Sequence, residues 1–516
     1  MRSTDISAFP LEIIISSITP YLTKHDLTNC VLINQQWNKI FTPLLWEDIK
    51  CVNSVPDGTA WMGDLNKIKW FRRFEKCALE TGALRKNGRW IRKVDAEFCG
   101  MVDLLTGTTV GGDGKCYCDG LVELEIGDDR SADMYMVQDD EYPTSQPQDV
   151  HVASVMRLLQ QNQGQLRKLT FLSFLLSINA QDTARMIRAI PSSVEELSVV
   201  KFTTPFLSSI AFPVELEPEL SSLKTLAFTL SGFDNLLPIL QRSPALETLV
   251  LKKLWYPTTN HVPWHVLAST IHDSCPRLTS LHLVDCPPYS DEEFSALLGA
   301  SARGWKTLGF PRRYNEYRYG NNAHEFGPLS TEALLKHCAT LENLRIEGCD
   351  DLPSWAIQEV LCSAPRLRRL DAISQERWRG RNVQLNAKDI IGLRDSKPSL
   401  SKDWVCLPLE SLKIQITGVP RGASFNSTSI QREVYKQLGR LRSLKQLVLG
   451  PEVMHPATIY KPLEGASLEG THPFGVPYDQ RPEYRGAGYQ ASCLEMTLES
   501  GLVIFNWWYK PGSMLG

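Results

Sequence analysis

An apolar phrase of the form Leu-x-x-Leu-x-Leu, with mostly polar residues at x, returns along most of this chain. It stands at Leu121-Leu124-Ile126, Leu166-Leu169-Phe171, Val194-Leu197-Val199, Leu223-Leu226-Phe228 and Leu246-Leu249-Leu251. It continues at Leu278-Leu281-Leu283, Trp305-Leu308-Phe310 and Leu341-Leu344-Ile346. Weaker copies are Leu367-Leu370-Ala372, Leu409-Leu412-Ile414, Leu444-Leu447-Leu449 and, ahead of all of them, Ile91-Val94-Ala96. The alternation inside each phrase predicts a strand with one buried face. Between phrases, segments such as 291–298 and 330–337 predict helices, with Asp291 and Thr331 as caps near their starts. A strand-plus-helix unit recurring every 20–50 residues or so marks a solenoid. The expected fold is α/β, with parallel strands lining a concave face and helices outside. Such a fold is a surface for holding something.

Residues 9–49 carry a different pattern. Leu11, Ile14, Ile15, Ile18 and Leu22 recur at helical spacing. Asp26 can cap a second helix bearing Leu27, Cys30, Val31 and Ile33. A third carries Trp37, Ile40 and Phe41, with Pro43 as its expected end. Ile13 and Leu32 lie off the main stripes. Either another chain buries that second face, or the cluster docks on the solenoid and caps it.

The domain organisation expected is a helical domain at 1–50, a helical linker or cap at 51–90 and the solenoid at 91–500. Trp61, Trp70, Phe71 and Phe74 anchor the linker. Loop insertions are expected at 101–120 (Gly-rich), 127–150 (acidic), 374–408 and 450–493 (rich in Pro, Gly and Tyr). Residues 494–502 read as a helix, followed by an atypical tail at 501–516 with Phe505, Trp507, Trp508 and Tyr509.

Composition changes this picture little. The chain has 516 residues and a net charge of -3, which points to no nucleic-acid or membrane-surface role. Its 13 Cys show no disulfide spacing, and Cys286 and Cys349 fall at buried repeat positions. The first residues lack a signal-peptide run, and the longest apolar stretch, 171–178, is too short to span a bilayer. The expected location is cytoplasmic, nuclear or both.

Catalytic motifs fail on inspection. Gly111-Gly112-Asp113-Gly114-Lys115 is no phosphate loop, because Thr109 and Cys116 stand where Gly and Ser/Thr are required. Cys116-Tyr117-Cys118 lacks both zinc spacing and a second pair. No nucleophile elbow is present. A non-catalytic protein with no cofactor and no metal is the expectation.

The N-terminal cluster resembles an F-box. The resemblance rests on Phe9-Pro10, then Ile14, Ile18 and Leu22, then Asp26-Leu27-x-x-Cys30-x-x-Ile33-x-x-x-Trp37, and on Pro43-Leu44-Leu45-Trp46 after it. An F-box followed by such phrases is similar to the F-box/leucine-rich-repeat family, fungal type, over residues 9–450. The resemblance implies a substrate receptor of a Skp–cullin–F-box ubiquitin ligase. Its helices would bind the Skp adaptor, and through it a cullin, while its repeats hold a target protein. Carried over by position, the adaptor-binding candidates are Pro10, Ile14, Ile18, Leu22, Leu27, Ile33 and Trp37. The alternative is a repeat scaffold unconnected to ubiquitin.

For the target, the x positions matter. Early ones lean acidic (Glu123, Glu125, Glu196) and later ones basic. Arg345, Arg369, Lys413 and His282 are the candidates for holding an acidic or phosphorylated segment.

Overall fold

The computed structural model describes residues 17–49, 60–96, 99–108, 114–127, 148–172, 180–200, 219–229, 233, 236–254, 263–284, 286, 289–310, 326–347, 349, 352–373, 383–392, 403–418, 425–449, 490–499 and 502–510. It divides into two compact units. The first is Met1–Lys224 with Thr229–Asp234, and the second Thr225–Phe228 with Asn235–Gly516.

In the first unit, β1 (Asp48–Ile49), β2 (Lys93–Ala96), β3 (Glu123–Gly127), β4 (Lys168–Leu172) and β5 (Glu196–Val200) pair in sequence order, all parallel. In the second, β6 (Thr225–Thr229, of which Thr225–Phe228 belongs to this unit), β7 (Thr248–Lys252), β8 (Ser280–Val284), β9 (Thr307–Gly309), β10 (Asn343–Arg345) and β11 (Arg369–Asp371) lie in order. From β7 onward these pairs are parallel, and the run continues through β13 (Ser411–Thr417) to β14 (Gln446–Leu449). Helices such as Trp264–Ser274, Asp291–Gly299 and Ser354–Ser363 connect the strands. The chain has the α/β leucine-rich-repeat solenoid fold.

The repeated phrase explains this arrangement. Every described residue of it is buried, including Ile91, Val94 and Ala96, so the first, weak copy is a true repeat. The register stacks equivalent leucines: Leu308, Leu344, Leu370, Leu412 and Leu447 occupy one row. Each side chain therefore finishes its burial only against the next repeat. The backbone is joined the same way. Lys306 and Thr307 both donate to the Thr279 carbonyl, Glu342 and Asn343 to Lys306, Arg368 and Arg369 to Glu342, and Glu410 and Ser411 to Arg368.

That last row has a second property. In sequence order it reads Lys306, Glu342, Arg368, Glu410, Lys445, and in the first unit Arg167, Glu195, Lys224. The charges alternate. Glu410 meets Lys445 at 2.6 Å and Arg368 at 3.9 Å. Glu195 meets Lys224 at 2.7 Å and Arg167 at 3.6 Å. The lysine hydrogen bond in each case holds the glutamate carboxyl below its usual range.

Helix caps differ from the expected ones. Ser290, not Asp291, caps Asp291–Gly299, in a capping box with Glu293. Asp291 instead turns to the following helix, Pro328–Leu335. Its carboxylate accepts from the backbone N–H groups of Gly327, Leu329 and Ser330 and from the Ser330 hydroxyl. Thr331 lies inside that helix and donates to the Gly327 carbonyl.

Three expected loops contain regular structure. Within 101–120, the stretch to Thr106 belongs to the helix Cys99–Thr106, whose Met101, Val102, Leu104 and Leu105 are core. Local glycine content masked that apolar run. Within 374–408 lies β12 (Gln384–Asn386), parallel to β13, followed by Ala387–Ile390. Val383, Leu385, Ile390, Trp404 and Cys406 are buried there. Residues 490–499 form β15 and 502–510 form β16, so the helix expected at 494–502 and the loop ending at 493 are both corrected. β15 is antiparallel to β14 and to β16, and the hairpin extends the sheet beyond the last repeat. β-branched and aromatic residues favour this outcome over a helix. Most of the expected insertions at 127–150 and 450–493 lies outside the described residues.

Candidate functional site

Two surfaces carry the residues singled out from the sequence. The first is the pair of helices Lys24–Ile33 and Gln35–Glu47. Thr23 caps the first, and Asp26 supplies the reciprocal half of a capping box, bonding the Thr23 N–H at 2.9 Å. Asp26 is thus inside the helix rather than its cap. The Thr23 hydroxyl holds its carboxyl below the usual range. Asn34 caps the second helix through the Trp37 N–H at 2.9 Å. Pro43 does not end it: the helix runs on to Glu47.

Leu27 and Phe41 are the buried centre of this pair. Leu22, Cys30, Val31, Trp37, Ile40, Leu44 and Leu45 pack on it, with Trp37 and Phe41 ring centroids 5.2 Å apart. Among the adaptor candidates, Leu27 is therefore core, and Leu22 and Trp37 are half-buried against that core. Ile18 and Ile33 are exposed, at 45% and 58%. Tyr21 and Leu32 are more exposed still. Tyr21 was absent from the sequence candidates because a Tyr beside Pro20 belongs to no helical stripe. Pro10 and Ile14 lie outside the described residues. The core of the next segment is in place, with Trp46 6.1 Å from Phe74 and Trp70 stacked on Phe74 at 5.4 Å.

The second surface is the strand face of the second unit. The register sets His282, Gly309, Arg345, Asp371 and Lys413 in one continuous row across β8, β9, β10, β11 and β13. Three of the four target candidates thus share a row. Arg369 lies two residues from Asp371 on the same face. Gly309 is needed there: a Cβ would come within 2.7 Å of the His282 ring. The ring sits 3.3 Å from the Ser280 hydroxyl. Burial, assisted by the Arg345 charge, lowers the His282 pKa.

The arginines are half-exposed and already engaged. Arg369 Nε donates to Asp371 Oδ2 at 2.8 Å, and Arg345 Nε lies 3.8 Å from the same oxygen. Arg345 also donates to Glu347 at 3.2 Å. Lys413 differs. Its residue is 8% exposed, and its ammonium has no ion pair or hydrogen bond among the described residues. Sequence reasoning named the cations and missed how Asp371 and Glu347 divide them, because ion pairs between strands depend on register.

In the first unit the acidic positions are likewise not free. Glu123 bonds Lys93 at 2.6 Å, and Glu196 lies 3.5 Å from Lys168. Lys93, Glu123, Lys168 and Glu196 form one alternating row. Among the described residues, no group of three or more His, Cys, Asp or Glu is placed to hold a metal ion. No described helix is long and apolar enough to cross a membrane.

No protein-family model matches this chain, and no curated protein matches it. Among solved structures, the chain is similar to the leucine-rich repeat-containing protein LegL7 from Legionella pneumophila. Identity is 14%, the TM-score is 0.31, and the match covers 72% of this chain and 95% of that one. It is also similar to a chain from the Rad7 and Elc1 complex in yeast. There identity is 13%, the TM-score 0.33, and coverage 76% and 92%. The fold class rests on this chain's own parallel register and buried leucine rows.

Proposed function

We propose that this protein is a substrate-recognition subunit of a Skp–cullin–F-box ubiquitin ligase, non-catalytic in itself. The observation that carries the proposal is the N-terminal helical pair. It closes a small core on Leu27 and Phe41 and still shows Ile18, Tyr21, Leu32 and Ile33 to solvent. Apolar side chains kept outside a satisfied core are what a docking surface requires. Together with the F-box-like order of residues, they favour an adaptor as the occupant. The repeats would then hold the target on the strand face.

The test is co-purification of the full chain with the Skp adaptor, comparing native protein with Ile33→Asp. Capture that this single change abolishes, with an unchanged thermal midpoint, supports the reading. A well-folded native chain that captures no adaptor leaves the rival reading, a repeat scaffold unconnected to ubiquitin.

A further inference from the structure

We propose that Thr19 is a phosphorylation site for a proline-directed serine/threonine kinase, and that phosphate there switches off docking on the N-terminal helical pair. The inference rests on the reading of that pair as the adaptor surface.

Thr19 is followed by Pro20 and opens the short helical turn Thr19–Tyr21. That turn buries none of its residues, and Thr19 itself is partly exposed. Its closing bond runs from the Leu22 N–H to the Thr19 carbonyl at 3.1 Å. Opening such a turn disturbs little core, and a residue before proline favours the extended chain that a kinase groove takes up. Proline supplies the selectivity. It brings no N–H into the groove, so a pocket without an acceptor admits it and rejects other residues. Two other Ser/Thr-Pro pairs are described, and Thr204-Pro205 lies outside the described residues. Thr42, before Pro43, is inside the helix Gln35–Glu47, with its hydroxyl 3.3 Å from Asn38 Oδ1. Ser243, before Pro244, is buried and donates to the Ile239 carbonyl. Among the described pairs, Thr19 alone stands on a turn that contributes nothing buried.

The position gives the modification its consequence. Ile18, 45% exposed, precedes Thr19, and Tyr21, 85% exposed, follows Pro20. Leu22, next along the chain, packs on the Leu27 and Phe41 core. In the transfer, Thr19 Oγ1 forms a bond to the γ-phosphorus of ATP and the bond from that phosphorus to the β–γ bridging oxygen breaks. ADP leaves, and the hydroxyl proton passes to the kinase's catalytic base. Phosphothreonine carries about two negative charges near pH 7. Set between apolar side chains that docking must bury, that charge has to lose its water before an adaptor can seat. Lys24, the next cation along the chain, already donates to the Asp48 carbonyl. The core beneath is left intact, so the switch acts on binding and not on folding.

To test this, the full chain is treated with a purified proline-directed kinase and MgATP, mapped by mass spectrometry and assayed for capture of the Skp adaptor. Phosphate at Thr19, capture weakened about tenfold or more and an unchanged thermal midpoint are the expected results. Pro20→Ala should block the modification. Thr19→Val, after the same treatment, should keep the capture it had before treatment. No phosphate at Thr19, an equal loss of capture in treated Thr19→Val, or a loss that follows a lowered thermal midpoint overturns the switch. An untreated native chain that captures no adaptor overturns the receptor reading and the switch with it. Equal or stronger capture by the chain phosphorylated at Thr19 overturns the switch alone.

Discussion

Asp291, at the start of one repeat's helix, holds the start of the next through Ser330. Its carboxylate takes the Ser330 N–H at 2.9 Å together with the Ser330 hydroxyl, and adds the N–H groups of Gly327 and Leu329. One side chain thereby satisfies donors that a helix N-terminus leaves unpaired. Gly327 has no room for a Cβ against this carboxylate. Asp291→Asn should destabilise the chain by about 1–3 kcal/mol, the cost of losing such a cap and exposing donors to an amide.

The same residue makes a pH prediction. Burial alone would raise the Asp291 pKa, but the hydrogen bonds from Ser330, Leu329 and Gly327 outweigh it and the net shift is downward. A carboxylate with a depressed folded pKa contributes stability above its unfolded value and loses it as pH falls through the folded one. Urea midpoints measured from pH 6 down through about pH 3, spanning the ordinary Asp value, should fall less steeply in Asp291→Asn than in native protein.

His282 makes the opposite end of the acid range informative. Its lowered pKa means that the unfolded chain takes up a proton before the folded chain does. Stability contributed by this ring is complete above its ordinary value of 6.5 and is lost as pH falls below it. His282→Asn should flatten the stability profile between about pH 7 and 5. Gly309→Ala, which drives a methyl into the ring, should cost about 1–3 kcal/mol by overpacking. Urea unfolding at stepped pH measures both, and equal slopes in native and His282→Asn protein would refute the assignment.

The helical pair separates two roles that the sequence ran together. Leu27→Ala removes core and should lower stability by about 2–5 kcal/mol. Ile33→Asp, on an exposed position, should leave the thermal midpoint within a degree or two and act on adaptor capture alone. A melt of each variant beside a capture assay distinguishes them.

Leu344 lies in the row between Leu308 and Leu370 and is buried. Leu344→Ala should cost about 2–5 kcal/mol. Denaturant unfolding gives the value, and a loss under about 1 kcal/mol would contradict the interlocked core described above.

The parts of the fold legible in advance were those written in local periodicity. The Leu phrases placed β2 to β11, and alternation alone assigned Arg345, Asp371 and Lys413 to one face. What escaped depended on partners distant in sequence. β12 forms because β13 offers it an edge, although Gln384-Leu385-Asn386 is too short to signal anything alone. Asp291 reads locally as a cap, and only the adjacent repeat reveals that it serves another helix. Asp371 Oδ1 is buried without a hydrogen-bond partner because the register brings both Arg369 and Arg345 to Oδ2. Tyr21 and Leu32 were hidden because exposure of an apolar side chain is a property of what fails to cover it.

The alternating row from Lys306 to Lys445 constrains how such an array can grow. If one repeat were excised, two residues of like sign would become neighbours along that rim. If two consecutive repeats were excised, opposite signs would meet again. The sequence therefore carries a parity: insertions and deletions in pairs preserve its electrostatic order, and single ones break it. Lengthening by duplication keeps that order only in double steps.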